Sequence, residues 1–250
     1  MSDNYNLRAQ VKDANREFHD LVADVYDQLG SREDTEFKTW LEDKIKKLKV
    51  LTRGECLLDL GCGRGFVLES AQDVFPRTCG IDISLGMLQK VKGFRVLCGE
   101  VDFLPVRTGT VDVVVAVALL HHLWEYDKLC SEIYRVLKKG GVLYIDQDPD
   151  TWFTTLFGLP LRIHKYLFGS YKKYGELKKG LTQDLFDSAE VHLYDGVDSA
   201  SVLKKLKESG FSSVECSYHW TGPFGLVNRL VGDIGFPRGF APYFRIMAKK

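Results

Sequence analysis

The sequence predicts an α/β fold in which helices flank a doubly wound, mostly parallel sheet of seven strands. Three observations predict it. Short apolar runs alternate with segments of helical periodicity from residue 56 onward, a glycine-rich turn follows the first run, and two further helical segments precede it. With 250 residues, the chain is long enough to bury one sizeable core.

Apolar spacing and capping residues define the individual elements. In residues 1–50, apolar side chains repeat every three or four positions, which predicts two helices before the first strand. Ser84 and Asp198 are suitable N-caps for later helices, and Gly93 is a suitable stop for the first of them. The other predicted helices are 66–75 and 127–137. The predicted strands are 56–60, a run ending at 83, 95–98, 111–118, 142–146, 213–220 and 243–248.

Composition argues against several classes of protein. The chain has 34 basic and 34 acidic residues, so no whole-molecule field draws it to nucleic acid. Its six cysteines form no Cys-x-x-Cys pair and no cysteine–histidine spacing of a zinc site, so we expect reduced thiols and no metal. The N-terminus lacks the pattern of a signal peptide, and no uncharged apolar run reaches about 18 residues, which favours a cytoplasmic protein.

The turn after the first strand has the features of a ligand cradle. It reads Asp59-Leu60-Gly61-Cys62-Gly63-Arg64-Gly65. Its three glycines lack a Cβ, so they allow a tight reversal and a close approach of the backbone to a ligand. A tight turn that binds nothing would use the same glycines, so the turn alone is a weak signal.

Acidic residues at the ends of the first three predicted strands make that signal more specific. Ligands of open α/β sheets sit at the carboxyl ends of the strands. There Asp59 can pair with a cationic group, and Asp82 can accept hydrogen bonds from both hydroxyls of a ribose. Glu100 and the amide of Val101 can contact an adenine edge. These positions together predict a nucleoside with a positively charged tail.

Between residues 56 and 146 the chain resembles the class I S-adenosylmethionine-dependent methyltransferases, especially the small-molecule group that includes ubiquinone and menaquinone biosynthesis methyltransferases. The resemblance rests on the order and spacing of five motifs: the turn above, Gly80-Ile81-Asp82-Ile83-Ser84, Gly99-Glu100-Val101-Asp102-Phe103-Leu104-Pro105, Leu120-His121-His122-Leu123 and Leu137-Lys138-Lys139-Gly140-Gly141. The sequence departs from the group at Glu100, where aspartate is usual, and at Val106, where an aromatic residue often follows the proline.

The resemblance implies S-adenosylmethionine as the cofactor. The glycine turn would hold its methionine end, Asp82 its ribose, and Glu100 with Val101 its adenine, while Ala118 would lie beside the sulfonium and Tyr26 would close over it. The implied cofactor contacts are Tyr26, Asp59, Gly61, Cys62, Gly63, Gly65, Asp82, Ile83, Met87, Glu100, Val101 and Ala118.

The candidate catalytic residues are His122, His121 and Asp148, which follow the fourth and fifth predicted strands. Methyl transfer from a sulfonium needs alignment of nucleophile and methyl group, and a base is optional. The two histidines can face the ligand crevice, and Asp148 can orient an acceptor hydroxyl. The structural alternatives are that the histidines pack beneath the cofactor and that Asp148 is a turn carboxylate. His192 and His219 are further titratable candidates, for which a structural role is the alternative.

The acceptor is expected to be small and hydrophobic, with an oxygen or carbon as the methylated atom. No Asn/Asp-Pro-Pro-aromatic tetrad follows the fourth strand and no cysteine is placed to attack a base, so no nucleic-acid partner is expected. A catalytically silent S-adenosylmethionine-binding module is one alternative. An NAD-dependent oxidoreductase is another, although its turn requires the third glycine one residue later.

These expectations divide one domain, 1–250, into four parts. Residues 1–50 form N-terminal helices, 51–148 the cofactor-binding core, 149–195 an inserted aromatic and basic helical cap, and 196–250 the rest of the sheet. Within 151–180, six basic residues and one acidic residue alternate with aromatic and aliphatic ones. This pattern is compatible with a cap packed over the active site or with peripheral membrane contact.

Overall fold

The structure is a computed structural model that describes residues 2–28, 35–160, 170–192, 195–220 and 234–250. Its seven strands are β1 (Cys56–Leu60), β2 (Arg77–Asp82), β3 (Arg95–Cys98), β4 (Val111–Val117), β5 (Leu137–Pro149), β6 (Ser213–His219) and β7 (Tyr243–Lys249). They form one sheet in the order β3-β2-β1-β4-β5-β7-β6. Strands β1 to β5 pair in parallel, and β7 is antiparallel to both β5 and β6. The predicted doubly wound, mostly parallel sheet is confirmed.

Helices flank the sheet, as the alternation of sequence patterns predicts. In the described residues they are α1 (Ser2–Val22), α2 (Thr35–Thr52), α3 (Phe66–Ala71), α4 (Leu85–Leu88), α5 (Asp127–Val136), α6 (Thr151–Leu156), α7 (Ser170–Leu177), α8 (Gln183–Ala189) and α9 (Ser199–Glu208). Short 3-10 turns cover Tyr26–Gln28 and Leu120–His122. None of the helices in the described ranges is both long and apolar enough to cross a membrane.

Both predicted N-caps are confirmed, but two helices are shorter than predicted. Ser84 accepts a hydrogen bond from the amide of Met87, and Asp198 accepts one from the amide of Ala200. Helix α4 ends at Leu88 instead of continuing to Gly93, because the following amides bond three residues back and tighten the chain into turns. Helix α3 likewise ends at Ala71 instead of residue 75.

Strand β5 is longer than the predicted 142–146, and it is irregular. It extends to Pro149, and its pairing with β7 shifts between Ile145 and Asp148. Gln147, inside the shift, has a φ of 67°, a left-handed conformation that non-glycine residues rarely adopt. The strand therefore carries two aspartates, Asp146 and Asp148, to the carboxyl edge of the sheet on either side of a bulge.

Helix α1 lies across the carboxyl edge of the sheet and packs on the inserted segment. Phe18 of α1 meets Phe186 of α8 edge to face, with ring centroids 5.6 Å apart. The predicted cap of 149–195 is helical in its described parts, whereas 161–169 and 193–194 lie outside the described residues. Residues 221–233, which precede β7, also lie outside them. The carboxyl edge is thus enclosed by α1 on one side.

Candidate functional site

A pocket of about 860 Å³, including its open mouth, lies at the carboxyl ends of β1, β2 and β4. Most of the predicted site residues line this pocket: Tyr26, Gly61, Gly63, Asp82, Ile83, Glu100, Val101, Ala118 and His122. The structure therefore brings together residues that are almost 100 positions apart in the sequence.

The glycine turn forms one wall of the pocket and is hydrogen-bonded to β2. The amide of Gly61 donates to the carbonyl of Ile81 at 2.8 Å, and the amide of Gly63 donates to Oδ2 of Asp82 at 2.7 Å. Gly61 has a φ of 67°, and a Cβ built on it would lie 2.7 Å from Cδ1 of Leu119. A side chain at this position would therefore be strained and would crowd the pocket.

Asp82 is buried at the end of β2, with both carboxylate oxygens held by backbone amides. Oδ2 accepts from Gly63, and Oδ1 accepts from the amide of Ser84 at 2.8 Å. Each carboxylate oxygen has a second lone-pair direction, so both can accept a further hydrogen bond. This arrangement suits a pair of neighbouring hydroxyl groups.

Four of the predicted cofactor residues do not line the pocket. Asp59 is buried at the end of β1, and Gly65, with a φ of 90°, precedes the first residue of α3. The thiol of Cys62 packs with Leu68, and burial, followed by the charge of Asp59, raises its pKa.

Met87, the fourth of these residues, lies behind the pocket wall, so its cofactor contact stays a prediction. Its side chain is fully buried in an apolar cluster with Phe18 and Val22 of α1. Met87 contributes to the packing of α1 and does not line the pocket.

Ala118 follows β4 and lies in the pocket with a φ of 54°. This left-handed conformation is costly for a residue with a Cβ, and such strain clusters at ligand sites. The Ala118 amide donates to the carbonyl of Asp146 at 2.9 Å, which fixes the backbone there. The chain thereby bends out of the sheet and begins the turn that carries the two adjacent histidines.

The opposite wall of the pocket is helix α1, which the sequence analysis did not predict. Arg8, Lys12, Asn15 and His19 of α1 all line the pocket. A signal was present, because Arg8, Lys12 and Arg16 are spaced by four and form a basic stripe on one helical face. This stripe is directed at acidic groups across the pocket mouth.

Ion pairs join α1 to the loop after β3. Arg8 and Lys12 lie 2.5 and 2.7 Å from Oδ2 of the buried Asp102, and Lys12 also pairs with Glu100. Burial lowers the pKa of Lys12, but the hydrogen bonds to Asp102 and Glu100 outweigh it and raise that pKa overall. Glu100, predicted to contact adenine, is therefore paired with α1 in this structure.

Four side chains form a polar group beside the pocket, here called the histidine cluster: His121, His122, Asp148 and Glu190. Oδ1 of Asp148 accepts from Nδ1 of His121 at 2.7 Å and from its amide at 3.1 Å. Oε2 of Glu190 lies 3.6 Å from Nε2 of His121 and 4.0 Å from Nδ1 of His122. Only His122 lines the pocket itself.

Two further side chains adjoin the histidine cluster: His192, which the sequence offered as a candidate, and Tyr126. The amide of His192 donates to the carbonyl of His121 at 3.0 Å, and burial, then the nearby His121, lowers the pKa of the His192 ring. Burial, then the charge of Asp148, raises the pKa of Tyr126. Glu190 and Tyr126 were missed by the sequence analysis, because nothing local marks a residue that packs against a distant turn.

His219 belongs to a different network, on β6. It is 1% exposed, and its Nε2 lies 2.8 Å from Oδ1 of Asp146, whose Oδ2 accepts from Nε of Arg245 at 2.7 Å. Burial raises the pKa of Asp146, but its contacts with His219, Arg245 and Tyr144 outweigh this and hold it at about 2. This placement favours a structural role for His219 over a catalytic one.

Comparisons with known proteins agree with this geometry. Residues 58–145 match the family described as a methyltransferase domain. A demethylmenaquinone methyltransferase of Lactobacillus johnsonii is 28% identical over 232 residues, which cover 77% of this chain and 95% of that protein. A tRNA (carboxymethyluridine(34)-5-O)-methyltransferase of Arabidopsis thaliana is 33% identical over 126 residues, which cover 48% of this chain and 31% of that protein.

A solved structure shares the fold. The crystal structure of an S-adenosylmethionine-dependent methyltransferase from Archaeoglobus fulgidus aligns with a TM-score of 0.56 at 18% identity, over 85% of this chain and 94% of that one. The chain spans less than half the length of the first curated relatives that it matches. The sheet and these similarities show that the chain has the fold of S-adenosylmethionine-dependent methyltransferases and that residues 58–145 match a methyltransferase domain.

Proposed function

We propose that the chain transfers a methyl group from S-adenosylmethionine to an oxygen or carbon of a small, hydrophobic acceptor. One observation carries the proposal: a single pocket joins the glycine turn and Asp82 to His122 of the histidine cluster. Polar and charged side chains of α1 line one wall, whereas Tyr26, Leu119 and Leu123 give the pocket an apolar and aromatic part. That part favours an apolar ligand with few polar groups.

The cofactor half of the pocket fits its proposed ligand. Asp82 has remaining acceptor capacity for the ribose hydroxyls, and Gly61 and Gly63 leave room for the methionine end. Glu100 and Val101 are assigned to the adenine. To contact it, Glu100 would give up its ion pair with Lys12. Bound S-adenosylmethionine supplies the electrophilic methyl group on its sulfonium.

The histidine cluster is assigned to the acceptor's polar end. A carboxylate only accepts hydrogen bonds, so Asp148 fixes the proton of His121 on Nδ1 and leaves the lone pair on Nε2. An acceptor that extends from the pocket past His122 to His121 would pass the proton of its hydroxyl to that lone pair as its oxygen is methylated. His122, which lines the pocket, positions the acceptor, and Asp148 positions His121 from behind.

A small acceptor is favoured over nucleic acid by the neutral overall charge of the chain. The test is to incubate the protein with S-adenosylmethionine carrying a labelled methyl group, together with a lipid extract, aqueous metabolites or tRNA. We expect label in the lipid or metabolite fraction. Label confined to tRNA would overturn the proposed acceptor class.

Calorimetry separates the alternative functions. The transferase proposal expects binding of S-adenosylmethionine and S-adenosylhomocysteine without binding of NAD. Cofactor binding without transfer to any fraction would instead identify a silent binding module. NAD binding alone would identify an oxidoreductase.

The described part of the cap also presents apolar side chains to solvent, and the proposal includes peripheral membrane contact there. Trp152 and Leu156 are each 60% exposed and Leu159 is 72% exposed, while Arg162 and Lys165 lie outside the described residues. Basic residues interleaved with apolar ones suit an anionic lipid surface. Sedimentation with anionic and neutral vesicles at low and high salt tests this part. Absence of binding to either vesicle would leave 151–180 only as a cap.

A further inference from the structure

We propose that the histidine cluster is a binding site for one divalent transition-metal ion, such as Zn²⁺, with His121, His122 and Glu190 as ligands. The site lies at the edge of the pocket through His122. Ion binding stands independently of methyl transfer, whereas the role of the ion in orienting an acceptor rests on the proposed function. Because the three residues come from two distant segments, no sequence spacing indicates the site.

The spacing of the donor atoms suits a shared ion. Nε2 of His121 lies 3.6 Å from Oε2 of Glu190, and Nδ1 of His122 lies 4.0 Å from the same oxygen. Zinc binds imidazole nitrogen and carboxylate oxygen at about 2.0–2.2 Å, so two ligands of one tetrahedral ion lie roughly 3.4 Å apart. All three donor atoms lie within 4.8 Å of one another, so side-chain movements of the order of an ångström would bring them into coordination.

Electrostatics favour a cation at this place. When His121 is neutral, its hydrogen bond to Asp148 keeps the proton on Nδ1, and the lone pair of Nε2 lies on the side of Glu190. A cation between Nε2 and that carboxylate would be attracted to both. With neutral imidazoles, Asp148 and Glu190 give the cluster a formal charge of −2. Within the described residues, neither carboxylate has a lysine or arginine partner within 4 Å.

Asp148 adds the support that metal-binding histidines require. A histidine ligand usually donates its second ring N–H to a carboxylate, which fixes the ring and increases its basicity. His121 does this with Asp148, whose side chain is fully buried. In the described part of the chain, the other oxygen of Asp148 and the hydroxyl of Tyr126 are buried with no hydrogen-bond partner. This polar, enclosed setting provides two further groups for water bound to an ion.

The ligand set determines the class of ion. Two imidazoles and one carboxylate favour Zn²⁺, Fe²⁺, Co²⁺ or Ni²⁺ over Mg²⁺ and Ca²⁺, which prefer oxygen ligands. To coordinate the ion through Nδ1, His122 would have to give up the 3.1 Å contact between that nitrogen and the carbonyl oxygen of Ala189. Three protein ligands leave a coordination position for water or for an acceptor oxygen. With an ion bound, Nε2 of His121 would be a ligand and the ion would lower the pKa of the acceptor hydroxyl.

The test uses the whole chain after treatment with a chelator and removal of that chelator. We expect Zn²⁺ to bind with a stoichiometry of one by calorimetry, whereas Mg²⁺ gives no heat. Bound Co²⁺ should show an absorption spectrum of nitrogen and oxygen ligation without a thiolate-to-cobalt charge-transfer band. A strong thiolate band would assign the metal to the cysteines and overturn the proposal, as would absence of stoichiometric binding.

Matched variants locate the site. Glu190→Gln preserves side-chain shape and should weaken Zn²⁺ binding at least tenfold, and His121→Ala should do the same. Glu208→Gln removes a carboxylate from the exposed end of α9 and should bind Zn²⁺ like the unaltered protein. Zn²⁺ binding that survives both cluster variants would overturn the proposal.

S-adenosylhomocysteine affinity provides the separate control. It should be unchanged in Glu190→Gln, which confirms that the variant is folded and that its cofactor site is intact. Methyl transfer by a metal-free, folded protein that does not bind Zn²⁺ would sink the metal site and leave the proposed function standing. Zn²⁺ binding without methyl transfer would support the metal site and overturn the proposed function.

Discussion

The backbone amide of Gly63 donates a 2.7 Å hydrogen bond to Oδ2 of Asp82, which couples the glycine turn to the acid at the end of β2. The two parts of the cofactor cradle are therefore one unit. Loss of the carboxylate would remove the proposed ribose contact and loosen the turn at the same time.

We predict that Asp82→Ala weakens S-adenosylhomocysteine binding at least tenfold. Hydrogen bonds to charged groups contribute about 1.5–3 kcal/mol each, and tenfold corresponds to about 1.4 kcal/mol. Calorimetry measures the affinity, and circular dichroism establishes that the variant is folded. A folded Asp82→Ala protein of unchanged affinity would remove the ribose assignment.

A pair of glycine substitutions separates steric crowding of the pocket from backbone strain. Gly61 and Gly93 both have positive φ, 67° and 80°, so alanine at either should cost roughly 1–2 kcal/mol of stability. A Cβ on Gly61 meets Leu119, whereas one on Gly93 meets nothing within 4 Å. We therefore expect Gly61→Ala to weaken cofactor binding at least tenfold and Gly93→Ala to leave it unchanged. Equal effects of the two on affinity would refute a specific role for Gly61.

Asp148→Asn is predicted to lower kcat by a factor of roughly 10² to 10⁴ without changing cofactor affinity. An amide in place of the carboxylate can donate to Nδ1 of His121 and move the ring proton to Nε2. Asp148 does not line the pocket, so the Kd for S-adenosylhomocysteine should stay constant. Asp127→Asn, at an exposed site on α5, is the matched control. A kcat equal to that of the control would exclude the positioning role of Asp148.

The stabilising effect of Asp146 should depend on pH in the acid range. Its pKa is about 2 in the folded protein and about 3.9 in an unfolded chain. Because the folded pKa is the lower one, the stabilisation is fully present above about pH 5 and is lost as the pH falls toward 2. Its size is roughly 2 kcal/mol.

Urea unfolding of Asp146→Asn and the unaltered protein between pH 7 and pH 3 measures this effect. The difference in unfolding free energy should narrow below about pH 4. Asp13→Asn, in an exposed pair with Arg16, should show little difference at any pH. A gap between Asp146→Asn and the unaltered protein that is constant down to pH 3 would contradict the assigned pKa.

The sheet was predictable because its strands have strong local patterns. Parallel strands buried on both faces are nearly continuous apolar runs, as in β4, and glycine turns and caps such as Ser84 mark the connections. The ends of α3 and α4 were not predictable, since the chain closes each helix with tighter turns that apolar spacing does not reveal. Helix boundaries therefore carried most of the errors in the fold.

The lining of the pocket was predictable only on the side of the glycine turn and Asp82. Asp82 and Gly61 sit in contiguous motifs, whereas Lys12, Asn15 and Glu190 reach the pocket or the histidine cluster through tertiary packing. Met87 is buried behind the pocket, a placement that its motif position did not predict, because a motif position does not say which way a side chain points. The sequence shows the helical spacing of the basic residues in α1, but it does not indicate that they form ion pairs with Asp102.

The bulge at Gln147 separates the two aspartates that flank it. Side chains of a regular strand return to the same face every second residue, so Asp146 and Asp148 would otherwise point the same way. The additional residue in the bulge reverses the face of the sheet to which the following side chains point. Asp148 is therefore directed toward His121, whereas Asp146 faces Arg245. In a regular strand without this irregularity the two acids, two positions apart, would share one face and one set of partners, so the separate identities of the two networks depend on a single bulge.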